Sequence, residues 1–244
     1  MTFNGLLSRL RMIPSVLKIA VQSLRLGVYA KQHKFKKYDE NFHRILINRD
    51  PHKGLTITEE EAYTLYSSVK AVANIEGVIA EFGVYKGASA RIICETKGAT
   101  PFYLFDTFEG MPNQKISEND RWRQDTHQDT DLKSVRNYLK VFENIIFVSG
   151  AFPESLLMDP NLENVVYSFV HLDVDLYEST LSGLNYFYPR LSKGGRLVSH
   201  NYNLKQMDGG DTPGVKQAFD EYFSDRRYMV TEIAETQCLI IKSG

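Results

Sequence analysis

The stretch Val78-Ile-Ala-Glu-Phe-Gly-Val-Tyr-Lys-Gly-Ala-Ser-Ala90 leaves this chain few ways to fold. An apolar run of strand length meets Gly83 and Gly87, a helix-favouring segment runs from Ala88 to Lys97, and a second apolar run, Tyr103-Leu-Phe-Asp106, closes on an acid. The order is strand, glycine turn, helix, strand. In such a unit the glycines let the backbone approach a ligand, and the carboxylate at the end of the second strand can accept hydrogen bonds from ribose hydroxyls. Two glycines alone are a weak signal, because a tight turn is needed there in any parallel α/β protein.

The alternation continues downstream. Asp131 to Phe142 reads as a helix, Asn144 to Ser149 as a strand with Gly150 at its carboxyl end, and Phe152 to Met158 as a short helix. Val165 to Asp175 has the unbroken apolar character of a central strand buried on both faces. Tyr177 to Leu191 is the next helix, and Lys193-Gly-Gly195 turns into the strand Arg196 to His200. After a helix from Val215 to Phe223, the runs Tyr228 to Ile233 and Gln237 to Lys242 are spaced for a hairpin. Strands alternating with helices predict a mostly parallel, doubly wound α/β sheet. Ahead of it, Thr58-Glu-Glu-Glu61 predicts a capping-box helix to about Ala73. Two polar stretches interrupt the pattern, 107–130 with the single tryptophan Trp122, and 201–214; irregular segments of that length are characteristically functional loops or lids.

Charge divides the chain. Residues 1–53 hold eleven Lys and Arg against three Asp and Glu, which leaves 18 against 27 for the remainder of a chain whose formal net charge is -1. An acidic main body does not suggest a nucleic-acid surface. Leu6, Leu7, Leu10, Ile13, Leu17, Val21, Leu24 and Val28 fall near helical spacing with basic residues between them, so residues 5–30 predict one or two amphipathic helices. Such a segment can pack on the main domain or on a second subunit, or make a peripheral contact with an anionic membrane. The organisation expected is a basic helical extension over 1–54 and one domain over 55–244, with a homo-oligomer as the assembly. Cys94 and Cys238 show no metal-ligand or redox spacing, and no apolar run reaches membrane-spanning length, so a cytoplasmic protein with buried thiols is expected.

In a doubly wound sheet ligands bind beyond the carboxyl ends of the strands. The reading above gathers Glu81 with Gly83, Asp106, Gly150, Asp173 with Asp175, and His200 with Asn201 along that edge. Carboxylates at the end of a buried strand need compensation, and metal binding, general-base chemistry, a salt bridge or capping of the next helix by Asp175 would each supply it. His171 reads as a packed core histidine. His127, in the polar loop, is left open between exposure and the site. His200 can serve as a general base, a hydrogen-bonding partner or, with Asp173 and Asn201, a metal ligand; a lone carboxylate makes a weak site for magnesium.

Five motifs carry a resemblance: Glu81-Phe-Gly-Val-Tyr-Lys-Gly-Ala-Ser-Ala90, Asp106-Thr-Phe-Glu-Gly-Met-Pro112, Gly150-Ala-Phe-Pro-Glu-Ser155, His171-Leu-Asp-Val-Asp-Leu-Tyr-Glu-Ser-Thr180 and Tyr188-Pro-Arg-Leu-Ser-Lys-Gly-Gly195. Over about residues 55–242 the chain resembles the macrocin O-methyltransferase family, S-adenosylmethionine-dependent enzymes that methylate sugar hydroxyls. The resemblance implies the class I methyltransferase fold, Rossmann-like, with seven strands and the last antiparallel. It implies that Glu81, Gly83 and Gly87 line the methionine end of the cofactor with Tyr85, Ser89 and Asp173 nearby. Asp106 would hold the ribose beside Thr107 and Phe108, and Ser149 and Gly150 would lie near the adenine. Asp173 matches a metal-ligand aspartate and Asp175 a general base. Where the family carries two consecutive aspartates, this chain has His200-Asn201, which puts the family's magnesium in doubt.

The activity this implies is methyl transfer to a hydroxyl of a sugar, glycoside or glycan precursor, with Asp175 or His200 taking the proton and Asp173 binding a cation with Asn201 or orienting the acceptor. The alternative is a methyltransferase-fold protein that binds or scaffolds without catalysis. A nicotinamide-dependent dehydrogenase is disfavoured, because the turn lacks the third spaced glycine.

Overall fold

The computed structural model describes residues 39–48, 57–112, 120, 126–203, 213–234 and 236–243. The expected helices over 5–30, the expected boundary at 54/55, Trp122 and most of the two polar loops lie outside those residues. The chain divides into two units, residues 1–48 and 49–244. In the first, α1 (Glu40–Ile47) starts at Asp39, whose carboxylate accepts the Phe42 amide at 3.0 Å.

The second unit opens with α2 (Glu59–Ala71). Its capping box is complete: the Thr58 hydroxyl accepts the Glu61 amide at 3.2 Å, and the Glu61 carboxylate accepts the Thr58 amide at 2.8 Å. There follow β1 (Val78–Phe82), α3 (Ala88–Cys94), β2 (Phe102–Asp106), α4 (Leu132–Leu139), β3 (Ile145–Ser149), β4 (Tyr167–Leu172), α5 (Tyr177–Phe187), β5 (Leu191–Ser199), α6 (Pro213–Tyr222), β6 (Thr231–Glu232) and β7 (Cys238–Ile241). The sheet order is β3-β2-β1-β4-β5-β7-β6; β7 runs antiparallel to both its neighbours, and the pairs among β1 to β5 are parallel. The seven-stranded, doubly wound sheet is therefore the one the resemblance implied, hairpin included.

Two local readings are corrected. Phe152 to Met158 forms a 3-10 turn over Glu154–Met158, not an α-helix. The strand expected from Arg196 begins at Leu191, because Lys193-Gly-Gly195 is an outward bulge inside it: Tyr167 and Phe169 of β4 face Leu191 and Arg196, so five residues of β5 span two of β4. Gly194 takes φ +78, and a side chain on Gly195 would meet the Ser192 and Ser168 carbonyl oxygens at 2.8 and 3.0 Å. Glycine is read from sequence as a turn, and the sheet uses it as a bulge.

Aromatic packing fixes the strands that carry the site. Phe82, Phe105, Phe152, Phe187 and Tyr167 are buried together, with the Phe82 and Phe152 rings 4.5 Å apart. Helix α5 comes down on β1 and β4 because Gly183 leaves room for Leu172 and Phe82. Every residue of β4 is buried, as a central strand requires. No helix among the described residues is long and apolar enough to cross a membrane.

Candidate active site

The carboxyl edge of the sheet brings Asp106, Asp173, Asp175, His200 and Asn201 to the ends of β2, β4 and β5. The backbone there is forced into unusual shapes. Of six non-glycine residues with positive φ among those described, Tyr85, Phe108, His127, Asp175 and Asn201 all lie in loops of this edge. Such conformations cost of order 1–3 kcal/mol each and collect where function demands a geometry.

Gly83 is pinned between two strands. Its amide donates to the Phe105 carbonyl at 3.0 Å, and the Asp173 amide donates to the Phe82 carbonyl at 2.8 Å. At φ +90, a side chain on Gly83 would fall 1.9 Å from the Asp173 carbonyl oxygen. Gly87, at φ +82, is pressed against Val135 of α4. Both glycines thus answer to packing of the turn itself. Asp106 holds that turn: one carboxylate oxygen accepts the amides of Val84 (2.6 Å) and Tyr85 (2.9 Å), and the other accepts the Phe108 amide (2.7 Å).

The remaining expected cofactor residues are placed as follows. Phe108 is buried against Phe147, and the Thr107 hydroxyl donates to the Gly110 carbonyl at 2.7 Å. Ser149 is exposed at the end of β3, and the Gly150 amide donates to the Asp106 carbonyl at 3.0 Å. The Tyr85 hydroxyl donates to Asp129 at 2.5 Å, and Lys86 pairs with the same carboxylate. Glu81 lies wholly within the sheet, 2.7 Å from His171 Nδ1. Burial pushes its carboxyl up, against the opposing pull of His171 and of Ser89. Its second oxygen has no hydrogen-bond partner among the described residues. His171 is a core histidine, as its place in the strand predicted.

Asp173 and Asp175 part company just beyond β4. Asp173 Oδ1 accepts from His200 Nδ1 at 3.1 Å, whereas Asp175 Oδ1 accepts from the Asn201 amide group and its Oδ2 lies 3.9 Å from His127 Nε2. His127 is thereby drawn to the site, and burial pushes its imidazole down, towards the neutral form. Asp175 does not cap α5. That amide, Tyr177 N, donates to Asp120 from the polar loop at 2.9 Å.

Sequence reasoning missed Glu61. The capping box explained it fully and so concealed a second role: Glu61 Oε1 lies 3.4 Å from His200 Nε2 and accepts from Thr236, amide at 3.1 Å and hydroxyl at 2.5 Å. Burial acts to raise the Glu61 carboxyl, but the hydrogen bond and charge of His200 outweigh it, with Thr236 and Thr58 helping, and hold it at about 2. Burial also acts to neutralise His200, and the charges of Asp173 and Glu61 overcome that, raising it to about 10. Asp173 is held low by His200 against its own burial.

These shifts set a pH profile for stability. The His200 contribution is complete below its ordinary 6.5 and is lost as pH rises toward about 10; the Glu61 contribution is complete above 4.5 and is lost as pH falls toward about 2. Urea unfolding across pH should show His200→Asn to be most destabilising, relative to the unsubstituted chain, between pH 4.5 and 6.5, with the difference shrinking in alkali as the ring loses its proton and in acid as Glu61 gains one. A difference independent of pH would show that the ring is not charged in the fold.

The donor set can be tested against a magnesium ion. His200 offers no lone pair while both ring nitrogens face carboxylates, Asn201 is turned to Asp175, and among the described residues no three His, Cys, Asp or Glu side chains are grouped to hold a metal. The expected ligand trio Asp173, His200 and Asn201 does not fit the ion, which wants oxygen donors in octahedral array.

A sheet in the order 3-2-1-4-5-7-6, a glycine turn after β1, an acid closing β2 and a hairpin ending in an antiparallel strand define a class I methyltransferase fold. The chain belongs to the macrocin O-methyltransferase (TylF) family, whose profile matches residues 15–234, further toward the N-terminus than the motifs reach. Demethyldecarbamoylnovobiocin O-methyltransferase of Streptomyces niveus is 27% identical over 167 residues, covering 61% of this chain and 59% of its own. The 8-demethyl-8-(2,3-dimethoxy-alpha-L-rhamnosyl)-tetracenomycin-C 4'-O-methyltransferase of Streptomyces olivaceus is 31% identical over 145 residues, covering 53% and 54%. The chain thus aligns with little more than half the length of these relatives. Among solved structures, the O-methyltransferase NovP superposes with a TM-score of 0.64 at 23% identity, over 78% of this chain and 82% of that one. The calicheamicin methyltransferase CalS11 gives 0.62 at 19%, over 88% and 91%. A Bacillus cereus O-methyltransferase solved in complex with SAH has the same fold at 11% identity and a TM-score of 0.54.

Proposed function

We propose that this chain transfers a methyl group from S-adenosylmethionine to a hydroxyl of a sugar or glycoside. The observation that carries the proposal is the gathering of Asp173, Asp175 and the Gly83 turn at one sheet edge in a chain of this family. The curated relatives, named as O-methyltransferases of demethyldecarbamoylnovobiocin and of a rhamnosyl-tetracenomycin, support the acceptor class.

In the reaction the sulfonium C–S bond breaks as the O–C bond forms, and the hydroxyl proton must leave the oxygen. Enforced proximity supplies much of such a displacement. Asp175 is the group assigned to take the proton: Asn201 orients one of its oxygens and the other faces His127. With its ring engaged on both sides, His200 acts as a donor that fixes Asp173, which aligns the acceptor. Cofactor binding falls to the Gly83–Gly87 turn, Glu81, Tyr85, Ser89 and Asp106 to Phe108, with Ser149 and Gly150 toward the adenine.

The test is methyl transfer from radiolabelled S-adenosylmethionine to a panel of glycosides, alongside calorimetry with S-adenosylhomocysteine. Binding of the latter together with label in a glycoside is expected. A chain that binds neither is not this enzyme.

A further inference from the structure

The ring of His200 stands between two carboxylates from distant parts of the chain, Asp173 after β4 and Glu61 in the first turn of α2. Neutral imidazole has one N–H, so serving carboxylates at both nitrogens calls for the doubly protonated ring, which has no lone pair to give a metal. Each acid meets a different ring nitrogen, Asp173 at Nδ1 (3.1 Å) and Glu61 at Nε2 (3.4 Å).

Glu61 is held there independently of His200. Thr58 donates to one of its oxygens by amide and hydroxyl, and Thr236 to the other by amide and hydroxyl. These four donors fix the carboxylate in place, and burial would neutralise it but for a cation beside it. His200 is the cation in contact with it.

The geometry points to a resident side-chain cation: His200, clamped by Glu61, neutralises and positions Asp173, and the site works without a divalent ion. Glu61 is then a positioning residue that acts through His200. The inference deepens the function proposed above and rests on it for the role of Asp173. Metal uptake, however, is measured without turnover, so the two can fail separately.

The full chain, freed of metal by EDTA, is titrated with Mn2+ and followed by electron paramagnetic resonance. The unsubstituted protein should take up none up to about 1 mM, so that any site it has is weaker than millimolar. His200→Asp should take up one equivalent, and adding Asp173→Asn should abolish it. Should His200→Asp not fold, as judged by circular dichroism, His200→Asn replaces it, with weaker uptake expected. A stoichiometric Mn2+ site in the unsubstituted chain that Asp173→Asn removes overturns the proposal, as does a folded His200→Asp that binds no metal. For Glu61 the readout is 15N resonance of the His200 ring near neutral pH. Both nitrogens should be protonated in the unsubstituted chain and one should lose its proton in Glu61→Gln; identical spectra would reduce Glu61 to a helix cap. Methyl transfer to any acceptor found should be unchanged by excess EDTA, and its loss would overturn the proposal too. Failure to methylate any acceptor would sink the proposed function and leave the metal titration to decide this one.

Discussion

Asp175→Asn should lower kcat by about 10²- to 10⁴-fold, the usual worth of a positioned general base, with the affinity for S-adenosylhomocysteine within about twofold of normal because the change removes no donor from the Gly83 turn. The substitution is chosen to spare the structure. Asn keeps the oxygen that accepts from Asn201, and it can hold the positive φ of position 175, a conformation to which Asn is well suited. What it loses is the capacity to accept a proton. In free energy the expected loss is about 3–5 kcal/mol of transition-state stabilisation. Steady-state kinetics with a responsive glycoside would measure it. A kcat within threefold of normal, roughly 0.7 kcal/mol, would move the base elsewhere, and His127, 3.9 Å away and biased toward neutrality, would be the next residue to replace.

Gly83→Ala should be the most destabilising single substitution in the sheet edge, at about 3 kcal/mol or more, from the strain of a side chain at φ +90 and the overpacking it forces. The atom it strikes is a main-chain oxygen, that of Asp173, so relief requires β1 and β4 to move apart. That movement would carry Asp173 away from His200, and cofactor binding should vanish with stability. Gly98→Ala is the control. Gly98 also has a positive φ, +60, but nothing lies within 4 Å of its missing side chain, so only the conformational cost of about 1 kcal/mol applies. Equal urea midpoints for the two variants would mean that the β1 turn is looser than the structure shows. Since domains are stable by only about 5–15 kcal/mol, the difference is easily measured.

Much of the fold was legible because its signals are local. The alternation of strands and helices, the capping box at Thr58 and the buried run of β4 follow from apolar patterning along the chain and from hydrogen bonds made within a few residues. The β5 bulge was read as a turn because a Gly-Gly pair looks the same in both until a neighbouring strand sets the register. Asp175 was a plausible helix cap by spacing, yet Asp120 took that amide from across a loop.

By itself the sequence determined the βαβ opening, the acids that close β2 and β4, and the family, since five ordered motifs survive without any knowledge of their contacts. Tertiary structure alone decided what His200 is. Its charge depends on whether a carboxylate stands at each nitrogen, and Glu61, held by Thr236, reaches it only once α2 and the segment before β7 are brought against the end of β5. Helix caps and strand ends announce themselves through neighbours in the chain, whereas a protonation state is set by neighbours in space.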